Sequence, residues 1–381
     1  MLTAAAIRRR RQEELRRLFR SFLQESFRAK RRRKLTRRAI REYRDSPFYY
    51  LLHSGCRQSM ITATGFDYRS FYSLLQVFSP FFFNASPYSL DEERRLNRTG
   101  RPRKIDAVTC LGLVLVWTRS QGGLVFLQPI FGLTYSCLAL WLRFGIRVLQ
   151  NCLRRHPLAR VSAPTVEEVR EYQRIVATIY PRLGEVWGTC DGLNLCFERS
   201  ISQRIQRMFY NGWLHGHFVS NVFVFAVDGT IRICGLNAPG SMHDSTIADY
   251  TGVYDKLERV YEATGGKVIV DSAFKLRNNP YLIRTSQALA PTRDGILFQR
   301  DAVKLRQSAE WGMRSFQASF PRLRDRIRYE ERGERLETMR MFVYLYNFRT
   351  NLVSCNQIRS TFAPWLEAQA DNLNTMFNLN N

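Results

Sequence analysis

The run Glu185-Val186-Trp187-Gly188-Thr189-Cys190-Asp191-Gly192-Leu193-Asn194-Leu195-Cys196-Phe197 decides the fold. Apolar and small residues fill it between two basic, turn-rich stretches, which is the pattern of a strand and sets Asp191 inside a sheet. A second run, Lys267-Val268-Ile269-Val270-Asp271, is β-branched at its centre and is entered through Gly265-Gly266. A run so apolar suits a strand buried on both faces, and the charge of Asp271 marks its end at the sheet edge. A third acid, Glu310, lies in residues 307–320, where Met313, Phe316 and Phe320 recur at helical spacing and leave Glu310 on an adjoining stripe. Two acids on a sheet and one on a helix describe a mixed α/β domain.

Carboxylate oxygens are hard ligands that suit Mg²⁺ or Mn²⁺, and Mg²⁺ is typically held by one or two carboxylates with phosphate oxygens and water. Asp191, Asp271 and Glu310 are therefore candidate catalytic residues and metal ligands, with two ions expected. Two ions roughly 3.5 to 4 Å apart activate an attacking oxygen and stabilise a leaving one at phosphorus. Without cations three clustered carboxylates repel, and at least one pKa is expected to rise.

These blocks resemble the Asp-Asp-Glu (DDE superfamily) transposases of the PIF/Harbinger type. Thr189-Cys190-Asp191-Gly192 is similar to the first acid block of that family and Val227-Asp228-Gly229-Thr230-Ile231 to the hairpin that follows. Ala238-Pro239-Gly240-Ser241-Met242-His243-Asp244-Ser245 resembles the Pro-Gly-Ser-x-His-Asp signature, the most specific of the blocks. Val270-Asp271-Ser272-Ala273-Phe274 and residues 308–316 resemble the second and third acid blocks, with 38 residues between Asp271 and Glu310. Leu345-Tyr346-Asn347-Phe348 stands where the family usually has Leu-His-Asn-Phe, and Val270 stands where a glycine is often found. The resemblance implies an RNase H-like catalytic fold, duplex DNA as substrate, a metal-dependent endonuclease and strand-transfer activity, self-association by analogy, and a separate Myb-like DNA-binding partner.

Asp244 competes with Asp271 for the second ligand position. Asp271 is preferred, because Pro239, Gly240 and Ser241 precede an apolar-periodic stretch in which Ser241 or Asp244 can cap a helix, leaving Asp244 a group that supports the ligands. His215 and His217 alternate on one face of a predicted strand without the cysteine pair a zinc site needs, and read as structural. The eight cysteines are scattered with no Cys-x-x-Cys pair, so a reducing compartment is expected and a disulfide scaffold is not. Residues 1–7 lead directly into arginines with no signal-peptide core, and no apolar run reaches the roughly 18 residues of a spanning helix, so no membrane role is expected.

A net charge of +25 points to a polyanionic partner, nucleic acid first. Much of the excess lies in residues 8–44, where Arg31, Arg32, Arg33, Lys34, Arg37 and Arg38 are candidate DNA contacts and a possible signal for the nucleus. Leu15, Leu18, Phe19, Phe22, Leu23 and Phe27 recur there at helical intervals, so the segment reads either as a basic amphipathic helix or as a solvated tail. Residues 1–45 form this basic arm, and residues 46–160 a helical, helix-turn-helix-like domain. In the latter, Asp106 caps helix 107–117, and residues 124–128, a turn at 129–134 and helix 135–153 make the motif. Its DNA-reading version puts Thr134, Tyr135 and Ser136 at base edges and Arg143 and Arg147 near phosphates; its plain version is an all-α bundle. Gly100-Arg101-Pro102-Arg103-Lys104 resembles a shortened AT-hook but reads better as a basic linker.

Residues 161–183 are a connecting helix opened by a Thr165/Glu168 capping box. Residues 184–355 are the nuclease domain, with strands near 186–197, 217–227 and 230–236, helix 244–261 and the Asp271 strand; Arg314 lies one turn from Glu310 and lines a DNA path. Residues 356–381 are a polar tail. Two other functions compete: a domesticated, non-catalytic DNA-binding or scaffold protein, and an RNase H-like nuclease acting on RNA or hybrid.

Overall fold

The computed structural model of the 381-residue chain describes residues 13, 17–21, 35–87, 103–275, 279–285, 292–327, 332–353 and 356–362. Its helices run in order α1 (Pro47–His53), α2 (Arg57–Thr64), α3 (Tyr68–Asn84), α4 (Ala107–Arg119), α5 (Leu127–Phe131), α6 (Tyr135–Leu153) and α7 (Val166–Ile179). Strand β1 (Val186–Cys196), α8 (Gln203–Phe209), β2 (Tyr210–Asn211), β3 (Gly216–Ala226) and β4 (Ile231–Pro239) follow. The series closes with α9 (Asp244–Tyr250), α10 (Val253–Thr264), β5 (Lys267–Val270), β6 (Leu282–Arg284), α11 (Arg293–Ser319) and α12 (Arg332–Val353).

Two compact units emerge, one from residues 1–55 with 122–143, the other from 56–121 with 144–381. In the first, Ser46 caps α1 by accepting the Tyr49 amide at 3.3 Å, and Pro47 fills the first turn, where no amide partner is needed. Phe48 lies 4.8 Å from Phe131, and Leu138 and Trp141 in the same unit are buried. The turn before α6 differs from expectation: Pro129 lies inside α5, and the chain reverses at Gly132 in the left-handed region (φ 62°). A Cβ at that glycine would come within 2.6 Å of the Arg41 carbonyl, so packing as well as conformation demands glycine.

In the second unit the predicted caps are present. Asp106 accepts the Thr109 amide at 2.8 Å to start α4, and Thr165 and Glu168 form the reciprocal capping box of α7. The sheet runs in the order β4-β3-β1-β5-β6, with short β2 pairing the start of β3. β1, β3 and β4 are antiparallel, whereas β5 and β6 lie parallel to β1. Val268, Ile269 and Val270 are fully buried, as their continuous apolar run requires of a parallel strand covered on both faces. This order is compatible with an RNase H-like domain.

Register decides which residues share a face. Asp191 stands opposite Phe223, and Phe223 opposite Cys234; Gly192, Val222 and Gly235 form the neighbouring row on the other face. Helix α11 covers the Asp191 face: the Ser308 and Thr189 hydroxyls meet at 3.0 Å, and the Phe316 ring lies 5.3 Å from Phe223. Gly312 lets the helix approach, since a Cβ there would lie 2.8 Å from the Phe225 ring. The opposite face receives the α9–α10 segment, with Gly235 bare against Thr251.

Four expectations change. The helix of residues 244–261 is two helices, because Gly252 takes φ 68° between them. Helix α11 starts at Arg293 on its Thr292 cap, well before residue 307, because its polar first half carries no strong apolar stripe to read. His215 is not in a strand but in the turn ahead of β3 at φ 49°, while His217 is in β3 with its ring 5.5 Å from Tyr210. β4 continues past residue 236 to Pro239 through an irregularity at Asn237 (φ 64°), whose amide donates to Asn221 Oδ1 at 2.9 Å.

The closing block holds the fold together. Asn347 is buried, with Oδ1 accepting the Ile231 amide at 2.8 Å and Nδ2 donating to the Ile231 and Arg160 carbonyls at 2.9 Å. Tyr346 fills a core space edge-on to Phe225 and Phe316, and its hydroxyl accepts from Asn356 at 2.8 Å. Among the described residues no single helix is long and apolar enough to cross a membrane, and no disulfide joins two described cysteines.

Candidate metal centre

Asp191 sits where β1 leaves the cover of β5. The parallel register pairs Thr189 with Ile269, and continuing it by two residues brings Asp271, just past the end of β5, beside Asp191. Neighbouring strands run about 4.8 Å apart. Asp271 turns back on its own loop, its Oδ1 accepting the Ala273 amide at 2.8 Å. Asp191 Oδ1 accepts the Gly192 amide at 2.8 Å.

Asp244 does not cap its helix. Helix α9 starts at Asp244 itself, with His243 in the capping position and no side chain accepting its amides, so the capping explanation for Ser241 and Asp244 fails. The Asp244 carboxylate instead rests over Gly192, where a Cβ would lie 2.4 Å from Asp244 Cγ. Backbone contacts aim it there. Gly240 fits between the Phe218 and Phe209 carbonyls, 2.4 and 2.6 Å from a would-be Cβ, and its own carbonyl accepts from Asn211 at 2.9 Å.

Electrostatics join these groups. Burial pushes Asp191 up to about 6; the Gly192 amide opposes this, Asp271 and Asp244 add to it, and Arg306 pulls the other way. Asp244 also rises to about 6, first through burial and then through Asp271, with His243 opposing. The Cys190 thiol, fully buried, is held well above its ordinary value by burial and by all three aspartates. Asp191 and Asp244 are thus both held above the ordinary carboxylate range, by burial first and by neighbouring negative charge second, and a divalent cation would relieve that repulsion.

Glu310 lies on the flank of α11, on the face that Asp191 occupies, and its Oε1 accepts from Arg306 at 2.7 Å. Sequence reading missed Arg306, although a cation four residues before an acid on one helix is a recognisable pair. Among the described residues no three His, Cys, Asp or Glu side chains are gathered closely enough to hold one ion. The donor chemistry nevertheless fits a hard cation, being all carboxylate oxygen.

The candidate DNA contacts fall in several places. Arg31, Arg32, Arg33 and Lys34 lie outside the described residues. Arg37 and Arg38 are exposed on a single 3₁₀ turn, and Arg143 and Arg314 are exposed on their helices. Arg147 is half-buried and donates to the Ser86 carbonyl at 3.2 Å. Arg103, from the AT-hook-like segment, closes the end of α3 by donating to the Phe82, Phe83 and Ala85 carbonyls at 2.8, 3.0 and 2.8 Å.

The match to known proteins begins one residue before Asp191 and ends at Asn347. Residues 190–347 fit the family of DDE superfamily endonucleases. That span contains Asp191, Asp244, Asp271 and Glu310 and supports a nuclease or transposase function. DDE nucleases generally use divalent metals such as Mg²⁺ or Mn²⁺. No curated protein and no solved structure matches the chain.

Proposed function

We propose that this chain is a PIF/Harbinger-type DDE nuclease that hydrolyses phosphodiester bonds in duplex DNA and transfers the freed strand, in the nucleus. Asp191, Asp271 and Glu310 would be the residues that hold two Mg²⁺ or Mn²⁺ ions. The observation that carries this reading is that the parallel register of β1 and β5 runs toward Asp191 on one strand and Asp271 just beyond the end of the other, with Asp191 raised to about 6 by burial first and by Asp271 and Asp244 after it.

Two such ions supply Lewis-acid activation of the attacking oxygen and charge stabilisation of the leaving one. The chain's own residues do the rest. Asp191 is fixed by the Gly192 amide and Asp271 by the Ala273 amide, so neither needs to reorganise when a phosphodiester arrives. Asp244 presses on the Gly192 backbone, which makes it a positioning group for Asp191 and the rival of Asp271 as a ligand. Arg306 holds the Glu310 carboxylate in place, and its charge, which already acts on Asp191, would favour a scissile phosphate nearby. Arg314, one turn on, lies along the same helix toward the DNA path, and the basic arm and Arg143 and Arg147 would bind flanking phosphates. By analogy with the family, the active form is an oligomer assisted by a Myb-like DNA-binding protein.

The test is cleavage of duplex DNA with Mg²⁺ or Mn²⁺ by the parent and by Asp191→Ala, Asp271→Ala and Glu310→Ala. Each variant should fall to about one hundredth of the parent rate or lower, the loss expected when several kcal/mol of metal-derived stabilisation disappear. DNA binding without cleavage, with a partner supplied, would leave a scaffold protein. Cleavage of RNA alone would make the chain a different RNase H-like nuclease.

A further inference from the structure

β4 ends the sheet. It pairs with β3 on one side, and among the described residues no backbone hydrogen bond leaves residues 232–236 on the other. Those five residues floor a cleft of about 530 Å³, walled by α12 on one side and by the turn between α9 and α10 on the other. Arg232, Lys256, Arg332 and Arg340 line it, and no acidic side chain does. Arg232 and Arg340 are paired from outside, with Glu168 and Glu337, while Arg332 donates to the Tyr250 hydroxyl at 2.8 Å.

Arg232 carries the decisive detail. It is only 8% exposed, and its Nε is buried with no hydrogen-bond partner. A buried donor left unpaired is costly, and this residue lines the cleft beside the strand edge. An open strand edge offers alternating amides and carbonyls, which an extended peptide satisfies by adding a strand. Five strand residues span about 16 Å, room for a peptide of similar length. The cations select acidic side chains on it. A DNA duplex meets the exposed Lys256, Arg332 and Arg340 first and leaves both the floor and Arg232 unreached.

We propose that the cleft on the free edge of β4 binds an extended acidic peptide of a partner protein, which adds a strand to the sheet and places carboxylates on its basic walls. The experiment uses the full chain, a fluorescent peptide alternating glutamate and valine, and amide hydrogen exchange across β4. Binding with slowed exchange at residues 232–236, weakened about tenfold or more by Lys256→Glu with Arg340→Glu, is the expected result. Lys256→Gln with Arg340→Gln replaces that variant if circular dichroism shows charge reversal unfolding the chain. Equal binding of a lysine–valine peptide, binding without protection of β4, or no binding overturns the proposal. So does protection by inorganic phosphate or an oligonucleotide but not by the peptide, which would make the cleft a phosphate site. No step depends on cleavage, so the outcome is independent of the nuclease reading.

Discussion

Asp191 and Asp244 both rise from an ordinary value of 3.8 to about 6 on folding. Between those values the folded chain binds more protons than the unfolded one, so stability falls as pH increases. The penalty is absent below about pH 4 and complete above about pH 6. Urea denaturation of metal-free protein should therefore show a falling midpoint across that window, a flatter profile in Asp244→Asn, and recovery at neutral pH on adding Mg²⁺. An unchanged slope in the variant would detach Asp244 from the site. Gly192→Ala tests the same corner by contact, because its Cβ meets the Asp244 carboxylate; a loss of about 1–3 kcal/mol in denaturant unfolding is expected. The Asp-Gly pair was plain in the sequence, but nothing local revealed that the glycine is a seat for a residue some fifty positions on. The role of Asp244 was misread for a related reason: a small polar run before an apolar stretch looks like a cap, and only the folded chain shows the carboxylate turned onto β1.

Strands were the most legible elements, since residues 268–270 and the first half of β1 are buried outright and their sequences are apolar or small. Caps were equally legible, because Asp106, Thr165 and Glu168 act within one turn of themselves. Helix lengths were less so. The N-terminal half of α11 alternates exposed charges with a few buried contacts, and the break at Gly252 depends on a backbone conformation that the sequence permits without demanding. The seat of α11 on the sheet can be probed at Gly312. Replacement by Ala puts a Cβ 2.8 Å from the Phe225 ring, so the helix must shift, lowering stability by about 1–3 kcal/mol. Because Glu310 rides on that helix, metal-dependent cleavage should drop more steeply than stability; an unaffected rate would separate Glu310 from the chemistry. At the other end of the fold, Asn347→Ala strands the buried Ile231 amide and should cost about 1–3 kcal/mol, read from the same unfolding curves.

For the molecule as a whole, a charge of +25 would make the proposed duplex binding an electrostatic process, whose affinity should fall steeply and linearly on a double-logarithmic plot against salt. Charge names a polyanion without naming a chemistry, which is why the function had to be read from the acids. Their convergence is the central claim. Titration of metal-free protein with Mn²⁺, followed by the electron paramagnetic resonance of the free ion, tests it most directly. Binding to the parent that weakens at least about tenfold in Asp191→Asn and in Asp271→Asn, in folded variants, is the result predicted. Mn²⁺ uptake identical in parent and both variants would contradict it.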